Sequence, residues 1–154
     1  MPEFVNKIKK TLLNKKVFCD VGADKAFYSE IAVETMSPKS KVFMFEPKFG
    51  KNYENIISQG AEKDIEVIVS DVAVSNVNGS DKITKDTLCK DINYKNETPP
   101  REVNTVTLDS FFEDKKEHPD VIKIDTEGWE VNILEGAKKI IKNCKPCMKL
   151  FGDK

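Results

Sequence analysis

The sequence predicts an α/β fold in which helices cover both faces of a mostly parallel sheet. Two observations support this class. At 154 residues the chain is long enough to bury a sizeable core and short enough for one domain, and we assign residues 1–154 to a single domain. Short apolar runs also alternate with amphipathic segments along the chain, which is typical of parallel strands joined by right-handed helical crossovers.

The expected elements follow one another from the N-terminus. Strands are predicted from apolar, β-branched runs, and helices from apolar residues spaced three and four apart. The predicted strands comprise residues 17–21, 41–45, 65–69, 103–108 and 121–124, and a further strand starts near Pro146. The predicted helices comprise residues 3–13, 26–35, 51–59 and 131–141, with a helical turn at residues 109–112. Gly60 is expected to end the third helix.

The segment between Asp71 and Pro100 interrupts this pattern. It is rich in Asn, Asp, Lys, Gly and Pro, a composition that predicts an edge hairpin or a flap rather than a regular crossover. We therefore assign no firm structure to it.

Composition and charge narrow the class of partner. The 25 Lys and Arg residues nearly balance 26 Asp and Glu residues, and the formal net charge is -1, so no overall basic field attracts a nucleic-acid backbone. The sequence has no run of 18 apolar residues, and residues 1–16 contain no apolar core of signal-peptide length. We expect a cytoplasmic protein whose partner is a small molecule, without nucleic-acid or membrane binding. The four cysteines are expected to be free thiols.

An acid and two small residues mark the end of the first predicted strand. Asp20 lies in the apolar run, and Gly22 and Ala23 form a tight turn at its carboxyl end, where ligands bind in open α/β sheets. Gly22 would let the backbone approach a ligand, and Asp20 can accept a hydrogen bond or face a cationic amino group. Both features suit an aminoacyl nucleoside, although any parallel α/β protein also needs a small residue at this turn.

A second carboxylate, Glu46, ends the second predicted strand, where nucleotide-binding folds place an acid to bind ribose hydroxyls. Asp24 and Phe27 occupy the second and third glycine positions of the dinucleotide fingerprint, and an acid there would repel a pyrophosphate. No G-x-x-x-x-G-K-[ST] motif for ATP is present. The pattern favours a ligand with a ribose and no phosphate, and it disfavours a dehydrogenase.

The third predicted strand is followed by Asp71 and Val72. The polar side chain could contact the amino group of an adenine, and the apolar neighbour could cover its ring. Such strand ends are often simple turns, so this assignment depends on the two preceding strands.

Charged residues lie around the end of the predicted strand at residues 121–124: they are Lys123, Asp125 and Glu127. Charges in a buried parallel strand are costly unless they are used. Asp125 or Glu127 could take a proton from a hydroxyl acceptor. The two carboxylates could instead share a divalent cation. We favour the role of base or acceptor-binding group and assign no metal ligand. The candidate catalytic residues are thus Asp125, Glu127 and Lys123. Lys123 could instead pair with Asp125 or reach the surface. Glu127 could simply complement a helix dipole, with Thr126 as the cap.

Four motifs occur in a fixed order along the chain. They are D-V-G-A at residues 20–23, F-E-P at residues 45–47, T-L-D at residues 107–109 and I-K-I-D-T-E-G-W-E at residues 122–130. In this order, over residues 17–140, they closely resemble the FkbM-type methyltransferase family.

This resemblance implies a Rossmann-like class I methyltransferase fold, a three-layer sandwich that uses S-adenosyl-L-methionine. It also implies methylation of a hydroxyl on a sugar or another small metabolite. The residues it assigns to the nucleoside site are Asp20, Gly22, Ala23, Glu46 and Asp71.

The sequence departs from the family in two places. The family usually has a glycine where this chain has Ala26, which could narrow the methionine pocket. The family also continues beyond the strand near Pro146, so the C-terminal antiparallel hairpin is expected to be missing, and an open sheet edge would favour a homo-oligomer. The alternative function is therefore a catalytically inactive or truncated module for binding or assembly.

Three further motifs are assigned no chemistry. The Cys144–Cys147 pair follows a helix and enters a strand, which is the wrong position for a reactive redox thiolate. His118 lies in a charged loop and is expected to be solvated. Trp129 is expected to pack in the core rather than to line the pocket.

Overall fold

The computed structural model describes residues 2–84, 87–88 and 100–151, and this part of the chain forms two sheets. The strands are β1 (Val17–Val21), β2 (Ser40–Phe45), β3 (Ile65–Ser70), β4 (Ala73–Val74), β5 (Gly79–Thr84), β6 (Thr87–Leu88), β7 (Arg101–Val106), β8 (Val121–Ile124) and β9 (Cys147–Leu150). The helices are α1 (Pro2–Leu12), α2 (Phe27–Thr35), α3 (Tyr53–Glu62), α4 (Leu108–Phe112), α5 (Glu130–Glu135) and α6 (Lys138–Cys144).

The main sheet has the strand order β3-β2-β1-β8-β9. Each neighbouring pair is parallel, with Asp20 of β1 level with Lys123 of β8 and Lys149 of β9 level with Lys123 on the other side. The predicted α/β class and parallel pairing are confirmed, and the predicted strands in this sheet match to within about two residues.

Helices cover both faces of the main sheet. Successive strand residues point to opposite faces, so β1 contributes to two separate cores. The core beneath α1, α2 and α3 includes Leu12, Phe18, Ile31, Val42, Met44, Tyr53 and Ile56. The core beneath α4, α5 and α6 includes Val17, Cys19, Phe43, Phe45, Phe112, Ile122, Ile133 and Ile140. The three-layer architecture is therefore confirmed.

The part of the chain between β3 and β8 forms a second sheet, with the strand order β4-β7-β5-β6. β5 pairs antiparallel with β6 and β7, whereas β4 pairs parallel with β7. Ala73, Ile83 and Val103 form its small core. No firm structure was predicted for residues 71–100; in its described part β5 and β6 pair antiparallel, which agrees with the hairpin alternative, and residues 85–86 and 89–99 lie outside the described residues.

The prediction that Gly60 ends α3 is wrong. Gly60 is buried inside the helix, and α3 continues to Glu62. A Cβ at Gly60 would lie 2.6 Å from Val67 Cγ2 and 2.7 Å from the Ile65 carbonyl oxygen. The glycine is needed because the helix packs closely against β3, and the chain reverses only at Asp64, whose φ is 57°.

The single helix predicted over residues 131–141 is also wrong, because the chain forms α5 and α6 with a break at Gly136. A Cβ at Gly136 would lie 2.3 Å from the Ser75 carbonyl oxygen, so this position packs directly against the backbone after β4. Within these two helices Val131 is 68% exposed, whereas Ile133 and Ile140 are buried.

The T-L-D motif joins the helices on this face. Thr107 caps α4 by accepting a hydrogen bond from the Ser110 N–H. The Asp109 carboxylate accepts hydrogen bonds from the Lys139 and Ile140 N–H groups, both at 3.0 Å. Since these N–H groups lie in the first turn of α6, Asp109 satisfies donors that the helix leaves unpaired. The motif therefore has a structural explanation in this chain.

Candidate active site

The carboxyl ends of β1 and β8 meet at the point where the strand order reverses. From β1 the chain crosses over to β2 on one side, and from β8 to β9 on the other. Open α/β sheets bind ligands in the crevice at such a point. The loops here are named the β1 turn (residues 22–26) and the β8 turn (residues 125–129).

Both turns contain residues in the left-handed region of backbone conformation. In the β1 turn, φ is 74° at Gly22, 47° at Asp24 and 63° at Ala26; in the β8 turn it is 54° at Glu127 and 101° at Gly128. Non-glycine residues in this region carry a conformational cost, and such residues concentrate at functional sites. Their grouping here supports a site at this edge of the sheet.

Gly22 joins the two turns. A Cβ at Gly22 would lie 2.1 Å from the Asp125 carbonyl oxygen and 3.0 Å from Thr126 Cγ2. The sequence interpretation expected the missing Cβ to leave room for a ligand, but in the structure that room is filled by the β8 turn. Contact between Gly22 and a ligand stays a prediction.

Asp20 lies beneath the β1 turn and is fully buried. Its Oδ1 pairs with Lys123 Nζ at 2.8 Å, and its Oδ2 accepts a hydrogen bond from Ser29 Oγ at 2.7 Å. The cation that faces Asp20 is thus a side chain of the same protein, where the sequence interpretation expected a ligand's amino group. A direct contact with the cofactor stays a prediction.

Lys123 is 3% exposed. Its ammonium donates to Asp20 and, at 2.8 Å, to the Gly22 carbonyl oxygen, and it lies 4.8 Å from the centre of the Tyr28 ring. The expected alternatives, a pair with Asp125 or a position at the surface, are both wrong. Lys123 was also assigned a catalytic role, and its burial places it below the site rather than at its surface.

Glu46 is half-buried at the end of β2. Its Oε2 accepts a hydrogen bond from the Asp24 N–H at 3.0 Å, and its Oε1 accepts one from the Lys48 N–H at 3.3 Å. Glu46 therefore supports the β1 turn through the Asp24 N–H, and contact between Glu46 and a ribose diol stays a prediction.

Asp24 is a further acid at this edge of the sheet that the sequence interpretation did not name as a candidate site residue. It is exposed at the tip of the β1 turn, and its carbonyl oxygen accepts a hydrogen bond from the buried Tyr53 hydroxyl at 2.8 Å. Its position directly after the Gly22-Ala23 turn was the available signal, but it was used only to exclude a pyrophosphate.

Asp125 is partly buried where β8 ends. Burial raises its carboxyl pKa above the usual value; Lys123 lowers it, and the carboxylates of Glu130, Asp20 and Asp24 raise it. A carboxylate with a raised pKa is a stronger base, and groups of this kind are frequent in active sites.

Glu130 closes the β8 turn. Its carboxylate accepts hydrogen bonds from the Thr126 and Gly128 N–H groups, at 3.1 and 3.0 Å, and from Thr126 Oγ1 at 3.2 Å. Although burial raises the pKa of Glu130, these hydrogen bonds lower it below the usual value.

The expectation that Thr126 caps the following helix is wrong, because the residue before α5 is Trp129. Glu127 is exposed at the tip of the turn.

The remaining predicted cofactor residues occupy different environments. Asp71 is exposed after β3, Val72 packs against the core beneath α4–α6, and Ala23 is buried in the opposite core. Asp71 is therefore the one of these three whose side chain faces solvent in the structure.

The residues that were assigned no chemistry lie where the sequence predicted. Trp129 is in the core, and its indole N–H donates to Ser75 Oγ at 3.1 Å. His118 is exposed. Cys144 ends α6 and Cys147 begins β9, and both are free thiols. Cys89 lies outside the described residues.

A candidate metal site and a membrane-spanning helix are both absent from residues 2–84, 87–88 and 100–151. In these ranges no three His, Cys, Asp or Glu side chains are grouped so that they could hold a metal ion. The helices of the same ranges are too short or too polar to span a lipid bilayer.

Comparisons with known proteins address the family directly. The model of the methyltransferase FkbM domain matches residues 20–151. The fold is similar to the crystal structure of a methyltransferase FkbM from Methylobacillus flagellatus, with a TM-score of 0.56, 16% sequence identity, and coverage of 97% of this chain and 39% of that one. No curated protein matches the sequence. Because the family model spans both turns and most of the chain, this protein belongs to the FkbM methyltransferase family.

Proposed function

We propose that this chain binds S-adenosyl-L-methionine at the carboxyl edge of the main sheet and transfers its methyl group to a hydroxyl of a sugar or another small metabolite. The observation that carries the proposal is the pair of adjoining turns, one placing Glu46 and Asp24 side by side and the other presenting Asp125. Family membership supports methyl transfer; the cofactor and the acceptor are our inference.

The residues at the β1 turn fit an aminoacyl nucleoside. Glu46 would accept hydrogen bonds from the ribose hydroxyls, as acids at this strand end do in related folds. The exposed Asp24 carboxylate would face the amino group of the methionine part, and Asp71 would contact the adenine. A pyrophosphate fits poorly, because Asp24 would repel it.

The protein's own contribution to transfer is alignment and proton removal. S-adenosyl-L-methionine supplies an activated methyl group, so much of the driving force comes from the cofactor. The residues must hold the acceptor oxygen in line and keep water away. Asp125 would take the hydroxyl proton on a carboxylate oxygen, because burial makes this carboxylate more basic than an exposed one. Glu127 would bind the acceptor from the tip of the same turn.

One observation favours a second candidate, a module that binds the nucleoside without transferring a methyl group. Ala26 is fully buried with φ at 63°, a conformation that favours glycine. Its methyl group packs in the core beneath α1, α2 and α3, so an effect on the methionine pocket would act through the conformation of the β1 turn. Binding of S-adenosyl-L-methionine without transfer to any sugar or small-molecule hydroxyl would support this candidate.

Calorimetric titration with S-adenosyl-L-methionine and S-adenosylhomocysteine tests the proposal. We expect saturable binding of both, weakened on the order of 10- to 100-fold by Glu46→Gln because a charged hydrogen-bond acceptor is lost. The matched control is Glu54→Gln, at an exposed position in α3, which should leave the affinity unchanged. Binding of NAD instead, or equal affinity for wild type and Glu46→Gln, would contradict the proposed site.

A further inference from the structure

The ion pair between Lys123 and Asp20 is the most buried charged feature in the described residues, with exposures of 3% and 0%. Removing two charges from water is costly, and a hydrophobic pair of similar size is often equally stable. A pair of this kind is therefore weak evidence of a stabilising role alone. Because the pair joins β1 to β8 next to both turns, we consider a role for it in the candidate site.

The Lys123 ammonium connects parts of the chain that are distant in sequence. From β8 it donates to Asp20 in β1 and to the Gly22 carbonyl oxygen in the β1 turn. Ser29 and Tyr28 extend the contact to α2, through the hydrogen bond to Asp20 and the ring beside the ammonium. One charge thus fixes the direction of the Gly22 peptide, where the β1 turn begins.

The same ammonium is the positive charge that acts on Asp125. After burial, the groups that shift the Asp125 pKa are Lys123, which lowers it, and Glu130, Asp20 and Asp24, which raise it. Tyr28 also faces this cluster; burial and the carboxylates of Asp125 and Asp20 raise its pKa to about 12, which keeps it neutral. Lys123 therefore opposes the effect of these three carboxylates on the Asp125 pKa.

We propose that Lys123 is a positioning residue for this site, whose buried ammonium fixes the turn that starts at Gly22 and supplies the positive charge facing Asp125. The proposal rests on the proposed function, since it concerns the same turns. It replaces the catalytic role expected for Lys123, because a buried ammonium with two protein acceptors acts through Gly22 and Asp125 rather than on a substrate.

The test compares Lys123→Met, which removes the charge but keeps an unbranched chain, with Lys149→Met. Lys149 is the matched control because it is level with Lys123 on the neighbouring strand, so both side chains leave the same face of the sheet. Two quantities are measured in each variant. One is the pH titration of the Asp125 carboxyl group by carbon NMR, and the other is the affinity for S-adenosylhomocysteine by calorimetry.

We expect Lys123→Met to raise the Asp125 pKa and to weaken binding about tenfold, as the loss of a charge-assisted hydrogen bond to the β1 turn predicts. Lys149→Met should change neither quantity. A purely structural ion pair would lower stability and leave the Asp125 titration unchanged, and that result would overturn the proposal.

Two additions keep the test decisive. If Lys123→Met does not fold, the double variant Lys123→Met with Asp20→Asn removes both charges and avoids an unpaired buried carboxylate; its Asp125 pKa should still exceed that of wild type. If wild type binds no nucleoside, the proposed function fails. The Asp125 titration and the backbone amide shifts of residues 22–24 would then still show whether Lys123 positions both turns.

Discussion

The β1 turn and the β8 turn lie side by side but are held in different ways. The β1 turn is fixed from below by the buried ammonium of Lys123 and from the side by the Phe45 carbonyl oxygen, which accepts hydrogen bonds from the Gly22 and Ala23 N–H groups. The β8 turn is closed by Glu130, a partly exposed carboxylate from the helix that follows. The turn proposed to bind the cofactor is thus held from the protein interior, and the turn proposed to handle a proton is held by a group near solvent.

The largest expected effect separates the two turns by function. Asp125→Asn should lower the rate of methyl transfer to a hydroxyl acceptor by about 100- to 10,000-fold, because a general base is lost. Affinity for S-adenosyl-L-methionine should stay within about threefold, because Asp125 does not support the β1 turn. Transfer of a labelled methyl group and calorimetry measure the two effects. Glu127→Gln tests the alternative base: because Glu127 is proposed only to bind the acceptor, its loss should lower the rate less than Asp125→Asn, and a larger loss would move the base to Glu127.

A smaller effect is expected where the turns touch. Gly22→Ala should lower the free energy of unfolding by roughly 2–5 kcal/mol, because the added Cβ meets the Asp125 carbonyl oxygen and φ is 74°. Urea denaturation measures the loss. Gly79→Ala is the matched control: its φ is also positive, at 150°, but nothing lies within 4 Å of the added atom. Equal losses in the two variants would mean that contact between the turns contributes nothing.

The smallest effect is a pair of opposite pH dependences within the β8 turn. Glu130 has a lowered pKa, so its stabilising contribution is present above its unfolded pKa and is lost as pH falls through the folded value. Asp125 has a raised pKa, so the folded state is favoured at low pH and loses stability as pH rises through the folded value. Each contribution should be below about 1 kcal/mol, because both carboxylates are partly exposed.

Urea denaturation from about pH 3 to pH 6 checks these signs. Relative to wild type, Glu130→Gln should be less stable at the upper end of this range, and Asp125→Asn more stable. Both differences should shrink as the pH falls. The same sign in both variants would contradict the distinction between the two carboxylates.

Much of the main sheet could be predicted from sequence, for a local reason. Runs such as Val17–Val21 and Val121–Ile124 are apolar throughout because both faces of a central parallel strand are buried. Glu46 and Asp125 could be chosen as candidate site residues because each is an acid directly after such a run. In each case the apolar run and the acid that follows it are adjacent in sequence, so they can be recognised without knowing which strand pairs with which.

The features that sequence did not reveal depend on contacts between distant residues. The Asp20–Lys123 pair joins positions 103 residues apart and follows from the register of β1 against β8. The break at Gly136 reflects the nearby Ser75 backbone, which helical periodicity cannot indicate. In the second sheet, β7 was predicted as a strand over residues 103–108, but β5 is largely polar, so no firm structure was assigned to its segment.

The contact between Trp129 and Ser75 gives the protein an intrinsic fluorescence probe at a defined position. Trp129 is the single tryptophan of the chain, it is 7% exposed, and its indole N–H donates to a residue just after β4. Its emission therefore comes from the junction of the second sheet with the β8 turn. A shift to longer wavelength on adding a nucleoside or an acceptor would show that this junction opens, and an unchanged spectrum would show that the ligand enters without disturbing it.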